Sequence, residues 1–276
     1  MQDRLKRNII NIRDIVKNKL INLLLPKEFS ISPKGIYFTQ NMFWFSHKGY
    51  CPCCDKEVLF QSNNEWLRDY FFCNNCYSIP RERALMIVIE KYFPDWENLD
   101  IHESSPANRG ASIKLKNKAK RYLGTQYFPG KPPGVIIGNW QNQDMENQTF
   151  RDESFDIVIT QDVMEHVYNP AKVFSEIART LKKGGAHVFT VPLINKHKKT
   201  EVWAIKGENG SPIFPKEPEY HGNPIDPKGS PVTMHWGYDI IDFIKKNSGL
   251  ETTIEYIDNL DFGIRAEYIE VLISKK

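Results

Sequence analysis

The sequence predicts an α/β fold built on a parallel sheet, and the stretch from Phe150 to Pro192 carries most of that prediction. Phe155–Thr160 reads FDIVIT, the short, nearly unbroken apolar run expected of a strand buried on both faces. A polar patch of Gln161, Asp162, Glu165 and His166 follows at once. Asn169-Pro170 then opens a helix, because asparagine accepts from orphan amides and proline has no amide to leave unpaired. Val173, Phe174, Ile177, Ala178 and Leu181 make its apolar face. Lys182 and Lys183 suit the negative helix end, and Gly184-Gly185 predicts a left-handed cap. Ala186–Val191 returns as a second buried strand, stopped by Pro192. The unit is strand–helix–strand, with polar residues at the carboxyl end of its first strand, where open α/β sheets bind ligands.

The totals set bounds. A chain of 276 residues holds one or two domains, and 41% hydrophobic with 26% charged residues is a globular composition. No segment approaches the ~20 apolar residues of a membrane span, and the start lacks the compact apolar stretch of a secretion signal. The expected location is the cytoplasm, with contact at the inner face of the membrane as the open variant. Net charge is +3, but residues 1–49 hold nine basic and three acidic side chains, giving +6 and leaving −3 for residues 50–276. The body is therefore no basic nucleic-acid platform.

Residues 1–49 read as a leader. Leu5, Ile9, Ile12, Val16, Leu20 and Leu23 are spaced by three or four, which predicts an amphipathic helix over residues 3–25, ended by Pro26. Its basic face suits an anionic membrane surface; packing on its own domain or on a second protomer, as in a homodimer, is the favoured reading. Phe29–Trp44 is a connector with a short strand at Gly35–Thr39.

Residues 50–93 contain Cys51-x-x-Cys54 and Cys73-x-x-Cys76, with 18 residues between the pairs. Two such knuckles predict a zinc-ribbon-like module with a closed tetrahedral thiolate site for structural zinc. Cys53 is left out, since adjacent cysteines chelate poorly. Trp66, Arg68, Tyr70, Phe71 and Phe72 offer aromatic surface without a dense basic patch, which favours a wall of the substrate site or a dimer contact. The segment ALMIVIEKYF is a helix docking the module onto the main domain.

Residues 94–276 form the main domain. Leu99–Glu103 (LDIHE) reads as its first strand, SSPANRG as the turn after it, and Arg121–Tyr127 (RYLGTQY) as its second strand. Val135–Gly138 is a short third strand. His102, on the first strand, is a structural histidine. Leu193–Gly237 is too long for a plain connection and reads as a lid or substrate-selecting insertion. Asp239 caps a helix ended by Gly249, and Thr252–Ile257 and Ala266–Ser274 pair as a terminal hairpin.

In its order and detail, DESFDIVITQDVMEHV…NP…F.EIARTLKKGGAHVFTVP resembles the fourth-to-fifth strand segment of class I S-adenosylmethionine-dependent methyltransferases, and the likeness covers most of Leu99–Lys276. The resemblance implies a Rossmann-like sheet with helices on both faces and a C-terminal antiparallel hairpin. It implies that S-adenosylmethionine lies across the strand ends. Glu103 stands at the family's acidic position, and Ser104, Ser105 and Pro106 stand where its turn has glycines. Gln126 replaces the acidic ribose ligand, so its contact is uncharged. Asp144 and Met145 take the adenine-edge position, and Gln161, Asp162 and Val163 pass beneath the methionyl group. His166 shares the crevice mouth with Glu165 and is a third catalytic candidate, with an orienting role preferred to that of a base. Within the insertion, EYHGNPIDPKGSPVTMHWGYD resembles a subset with a YHGNP-type lid; because imidazole titrates near neutral pH, His221 and His235 are candidate bases, with loop-fixing hydrogen bonding the favoured role of each.

The implied activity is methyl transfer to an oxygen or nitrogen of a small-molecule or carbohydrate-like acceptor, with no nucleic-acid substrate. The alternative is a non-catalytic scaffold that binds RNA or protein through the zinc module and leader.

Overall fold

The computed structural model describes residues 31–32, 35–36 and 45–276 other than residue 224. The leader helix expected over residues 3–25 lies outside the described residues. In the connector, Ile31–Ser32 pairs antiparallel with Gly35–Ile36, so the strand expected at Gly35–Thr39 is present at its start. Residues 44–276 form one compact unit.

That unit opens with an antiparallel hairpin of β1 (Phe45–Cys51) and β2 (Lys56–Ser62), to which β3 (Phe72–Cys73) adds an edge. A short helix α1 (Leu67–Tyr70) precedes β3, and α2 (Pro80–Tyr92) follows it. The hairpin therefore begins at Phe45, within the stretch read from sequence as connector. Two glycines set its seat against the C-terminal loop. A Cβ on Gly49 would lie 2.2 Å from the Asp261 carbonyl, and Gly263 adopts φ +64° with the Phe60 ring pressed against it.

The sheet that follows is built from β4 (Asp100–Ser104), β5 (Arg121–Gln126), β6 (Ile136–Ile137), β7 (Trp140–Asn142), β8 (Phe155–Gln161), β9 (Leu181–Thr190), β10 (Glu251–Glu255) and β11 (Val271–Lys275). Its spatial order is β10-β11-β9-β8-β4-β5-β7-β6. Strands β7, β5, β4, β8 and β9 run parallel, and β11 enters antiparallel between β9 and β10. This is a Rossmann-like mixed sheet, closed by the expected antiparallel hairpin. Helices α3 (Gly110–Lys118), α4 (Pro170–Thr180) and α5 (Ile240–Ser248) complete it.

The strand alternation explains both faces. Ile157 and Ile159 of β8 pack with Ala186 and Val188 of β9 beneath α2 and α3, whereas Val158 and Phe189 pack beneath α4 and α5. The cysteine module shares the first of these clusters, through Phe60, Phe71 and Cys73.

Three local expectations are corrected. Helix α4 begins as read, with Asn169 Oδ1 accepting from the Lys172 amide at 3.1 Å, but it ends at Thr180 and β9 starts at once. Gly184-Gly185 is therefore no helix cap, and Lys182 bridges Asp100 and Asp156 at 2.5 and 2.9 Å instead of meeting the helix end. The parallel third strand is Trp140–Asn142, while Ile136–Ile137 pairs antiparallel outside it. Asp239 occupies the α5 N-cap position, yet its carboxylate accepts from the Thr200 amide at 3.0 Å and from the Thr200 hydroxyl at 2.6 Å, pinning the insertion. Gly249 does end α5, in the left-handed conformation expected of it.

His102 and His187 lie fully buried on neighbouring parts of the sheet. His102 meets the Thr125 hydroxyl at 2.9 Å, and His187 meets that of Thr160 at 3.0 Å. Burial pushes both imidazoles down from 6.5 to about 3, so the folded state refuses protons that the unfolded chain accepts. Their contribution is complete above about pH 6.5 and is lost progressively as pH falls towards 3. Urea midpoints measured across that range should fall on acidification, and a His187→Gln variant should show a shallower fall than the parent chain.

Candidate active site

The parallel strands end on a row of polar residues with constrained backbone. Ser105 and Asp162, each directly after a strand, adopt left-handed φ of +56° and +51°. Such conformations in non-glycine residues are uncommon and cluster at functional sites.

Glu103 is fully buried, and its carboxylate accepts from the Ser112 hydroxyl (2.6 Å), the Gln161 amide (2.8 Å) and the Tyr122 hydroxyl (2.7 Å). It thereby ties β4 to β8. Gln161 Oε1 is left buried with no partner. Ser104 is buried at the end of β4, Pro106 packs over Gly124, and the Gln126 amide donates to Ser105 Oγ at 3.4 Å. Asp144 Oδ1 accepts from the Glu146 amide within its own turn, and Met145 is packed in the apolar cluster beneath α4 and α5. The Val163 carbonyl closes a turn by accepting from the His166 amide.

Asp162 is taken up differently from the other strand-end residues. Its Oδ2 lies 2.8 Å from Arg68 Nη2 and 2.8 Å from Arg81 Nε, and its Oδ1 accepts from the Thr190 hydroxyl. Both arginines come from the cysteine module, and their charges hold this carboxyl far below the usual carboxylate range.

Beside it opens a cavity of about 520 Å³, lined among others by Arg68, Asp162, Glu165, His166, Glu219 and His221. Of the cofactor residues read from sequence, Asp162 alone lines it; all three candidate catalytic histidines do. His166 follows β8, while His221 and His235 come from two-residue strands of the insertion. His166 Nδ1 donates to the Pro231 carbonyl at 2.9 Å. The Glu219 carboxylate holds the other two, with one oxygen 3.3 Å from His221 Nε2 and the other 2.9 Å from His235 Nε2. His235 also stacks on Trp203 at 3.8 Å.

Glu165 lies at the centre. It is 1% exposed, and neither carboxylate oxygen has a hydrogen-bond partner. Burial, with Asp162 nearby, pushes its carboxyl up to about 8. The insertion is hung on the same residue: the Glu165 carbonyl accepts from the amides of Thr233 and Met234, and Trp236 Nε1 donates to the Met164 carbonyl.

Arg81 and Glu219 were not nominated from sequence, and Arg68 was read only as part of a substrate wall or a dimer contact. Glu165 stood in the quoted patch, but its isolation from any donor is a tertiary fact. Arg81 and Glu219 sit in segments with no local signal for the site, and nothing local pairs Arg68 with Asp162.

The cysteines cluster as their spacing predicts. Sγ atoms of Cys51, Cys54, Cys73 and Cys76 lie within 4.8 Å of one another. Cys51–Cys76 and Cys54–Cys73 are 3.7 and 3.9 Å apart, against the about 3.8 Å edge of a tetrahedron with zinc–sulfur bonds of about 2.3 Å. The amides of Asn75 and Cys76 point at Cys73 Sγ, at 3.4 and 3.5 Å. Arg83 is fully buried beside them, donating to the carbonyls of Phe71, Ser78 and Gly263 with no carboxylate of its own; the thiolates are its natural countercharge. The set is able to chelate a metal and fits zinc. Cys53 donates instead to the Glu82 carbonyl, outside the cluster.

The methyltransferase-domain family matches residues 114–189. Two curated relatives are the ubiquinone biosynthesis O-methyltransferases of Hahella chejuensis (31% identical over 107 residues, 39% of this chain and 44% of that one) and Aeromonas salmonicida (30% over 128 residues, 46% and 53%). The chain thus spans about half the length of these relatives. Among solved structures, an S-adenosylmethionine-dependent methyltransferase from Mesorhizobium loti aligns with a TM-score of 0.45 at 14% identity, covering 69% of this chain and 96% of that one. Among the described residues no helix is long and apolar enough to cross a membrane.

Removing the Asp162 charge should leave two buried guanidinium groups short of their partner. An Asp162→Asn variant should lose about 3 kcal/mol of stability in urea denaturation, whereas Asp69→Asn, half-exposed on the outer side of the same arginines, should lose under about 1 kcal/mol.

Proposed function

We propose that this chain is an S-adenosylmethionine-dependent methyltransferase acting on an oxygen or nitrogen of a small-molecule or carbohydrate-like acceptor, with structural zinc in its cysteine module. The observation that carries the reading is the 520 Å³ cavity at the carboxyl ends of β8 and β9, beside strand ends of which those from Gln126 to Val163 fall within the match to a methyltransferase domain. The cavity volume suits a small acceptor.

The strand-end residues fit the methyl donor. Gln161 Oε1, buried and unpartnered, would accept from its ammonium group, and the Ser104-Ser105 turn with Gln126 offers further polar contacts. When bound, the sulfonium supplies an already activated methyl group. The chain's own task is then to orient the acceptor and to take up its proton. His166 and His221 each have one ring nitrogen engaged as donor, to the Pro231 carbonyl and the Glu219 carboxylate, so the other nitrogen of each neutral ring is free to accept. His235, held by Glu219 and stacked on Trp203, serves to position the insertion wall.

The leader, residues 3–25, belongs to the same reading as a segment that packs on its own domain or a second protomer, its apolar spacing being the support; its basic face leaves an anionic membrane surface as the competing partner.

Calorimetry with S-adenosylmethionine and with its demethylated product should show saturable binding of both, weakened about tenfold in Gln161→Leu, the effect of one lost charge-assisted hydrogen bond. No heat with either ligand would leave the scaffold reading in place. Elemental analysis should find one zinc per chain, lost together with thermal stability in Cys73→Ser.

A further inference from the structure

We propose that Glu165, His166 and His221 form a second metal site, separate from the four cysteines, that holds a divalent cation with open coordination positions facing the cavity.

The argument starts from proton placement. A carbonyl only accepts, so the 2.9 Å contact with Pro231 puts the His166 hydrogen on Nδ1 and leaves a lone pair on Nε2. A carboxylate likewise accepts, so the contact with Glu219 puts a His221 hydrogen on Nε2, and in the neutral ring, the form that binds metal, Nδ1 carries the lone pair. Those two free nitrogens face one oxygen: His166 Nε2 is 3.7 Å and His221 Nδ1 is 3.9 Å from Glu165 Oε1. In the deprotonated form that binds a cation, the cluster is three converging acceptors, and the carboxylate at the focus is buried and unpartnered at both oxygens. Such an arrangement is repulsive until something positive sits inside it.

The distances favour an ion. They exceed hydrogen-bonding range, yet they are within a few tenths of an ångström of the about 3.4 Å that nitrogen and oxygen ligands span across one tetrahedral cation. All three ligand atoms lie within 4.8 Å of one another. The outer contacts are those that metal-binding histidines use to fix tautomer and ring orientation, one to a backbone carbonyl and one to a carboxylate. Two imidazoles and one carboxylate suit manganese, iron, cobalt or zinc in the divalent state and leave positions for water or for oxygens of an acceptor. Asp162 does not join, because its carboxylate is engaged by Arg68 and Arg81. The surroundings agree in charge: those two arginines are matched by Asp162 and Asp69, which leaves Glu165 and Glu219 uncompensated. The metal site does not rest on the methyl-transfer reading, and the two can fail separately; with a cation bound, His166 Nε2 and His221 Nδ1 are its ligands and no longer serve as bases.

The test is Mn2+ binding to the full, zinc-containing chain, followed by electron paramagnetic resonance and water-proton relaxation. One Mn2+ should bind beyond the zinc, with enhanced relaxation from exchanging water in its open positions. His221→Ala and Glu165→Gln should each weaken binding at least about tenfold, and Glu219→Gln, which loosens only the outer clamp, about tenfold. Zinc content should stay unchanged in all three variants, and the melting temperature should stay unchanged in His221→Ala, whose side chain is 40% exposed. Absence of Mn2+ and Co2+ binding at millimolar concentration would overturn the proposal and leave a shared proton as the resident of the cluster. Equal Mn2+ binding by the parent chain and by the His221→Ala and Glu165→Gln variants would also overturn it.

Discussion

The contact on which the architecture turns is the double ion pair at Asp162. One carboxylate at the crest of the central strand, in a backbone conformation few residues tolerate, meets two guanidinium groups delivered by the cysteine module. Neither side is satisfied alone: the arginine side chains are nearly buried, and the aspartate is too. The module is thus a wall of the cavity and no detachable appendage. Its thiolate cluster sets the course of the chain from β1 to α2, Arg83 fastens that course to the C-terminal loop, and Arg68 and Arg81 carry it to the strand ends. An ion far from any reaction would therefore still determine the shape of the reactive space.

How much of this was legible depended on whether the cause was local. Strands β8 and β9 show in the sequence because burial on both faces demands nearly unbroken apolar runs. Asn169-Pro170 marks a helix start because both residues act within one turn, and the cysteine pairs declare themselves because two thiolates three residues apart already share a turn. Trp140–Asn142 was missed for the opposite reason: a three-residue strand of mixed character carries no periodicity, and only pairing with β5 defines it. Lys182 looked like a helix terminus, and Asp239 like a cap, because each residue is commonly used so; tertiary partners, Asp100 and Asp156 for one and Thr200 for the other, claimed them instead.

The cavity was legible only in part. The three histidines were found because imidazole is rare and chemically conspicuous. Glu219 and Arg81 were not, and for Glu165 and Arg68, which were placed near the site, the role was not legible, since what matters about each is the absence or presence of a partner far along the chain. Arg68 and Asp162, 94 residues apart, illustrate the limit.

The attachment of the insertion at Glu165 and Met164 has a consequence for traffic. Because residues 233–236 are stitched to the floor by main-chain and indole bonds, and Trp236 is wholly enclosed, this inner edge behaves as masonry and not as a door. A molecule bound there would meet, along this edge, a chamber whose dimensions exist before it arrives.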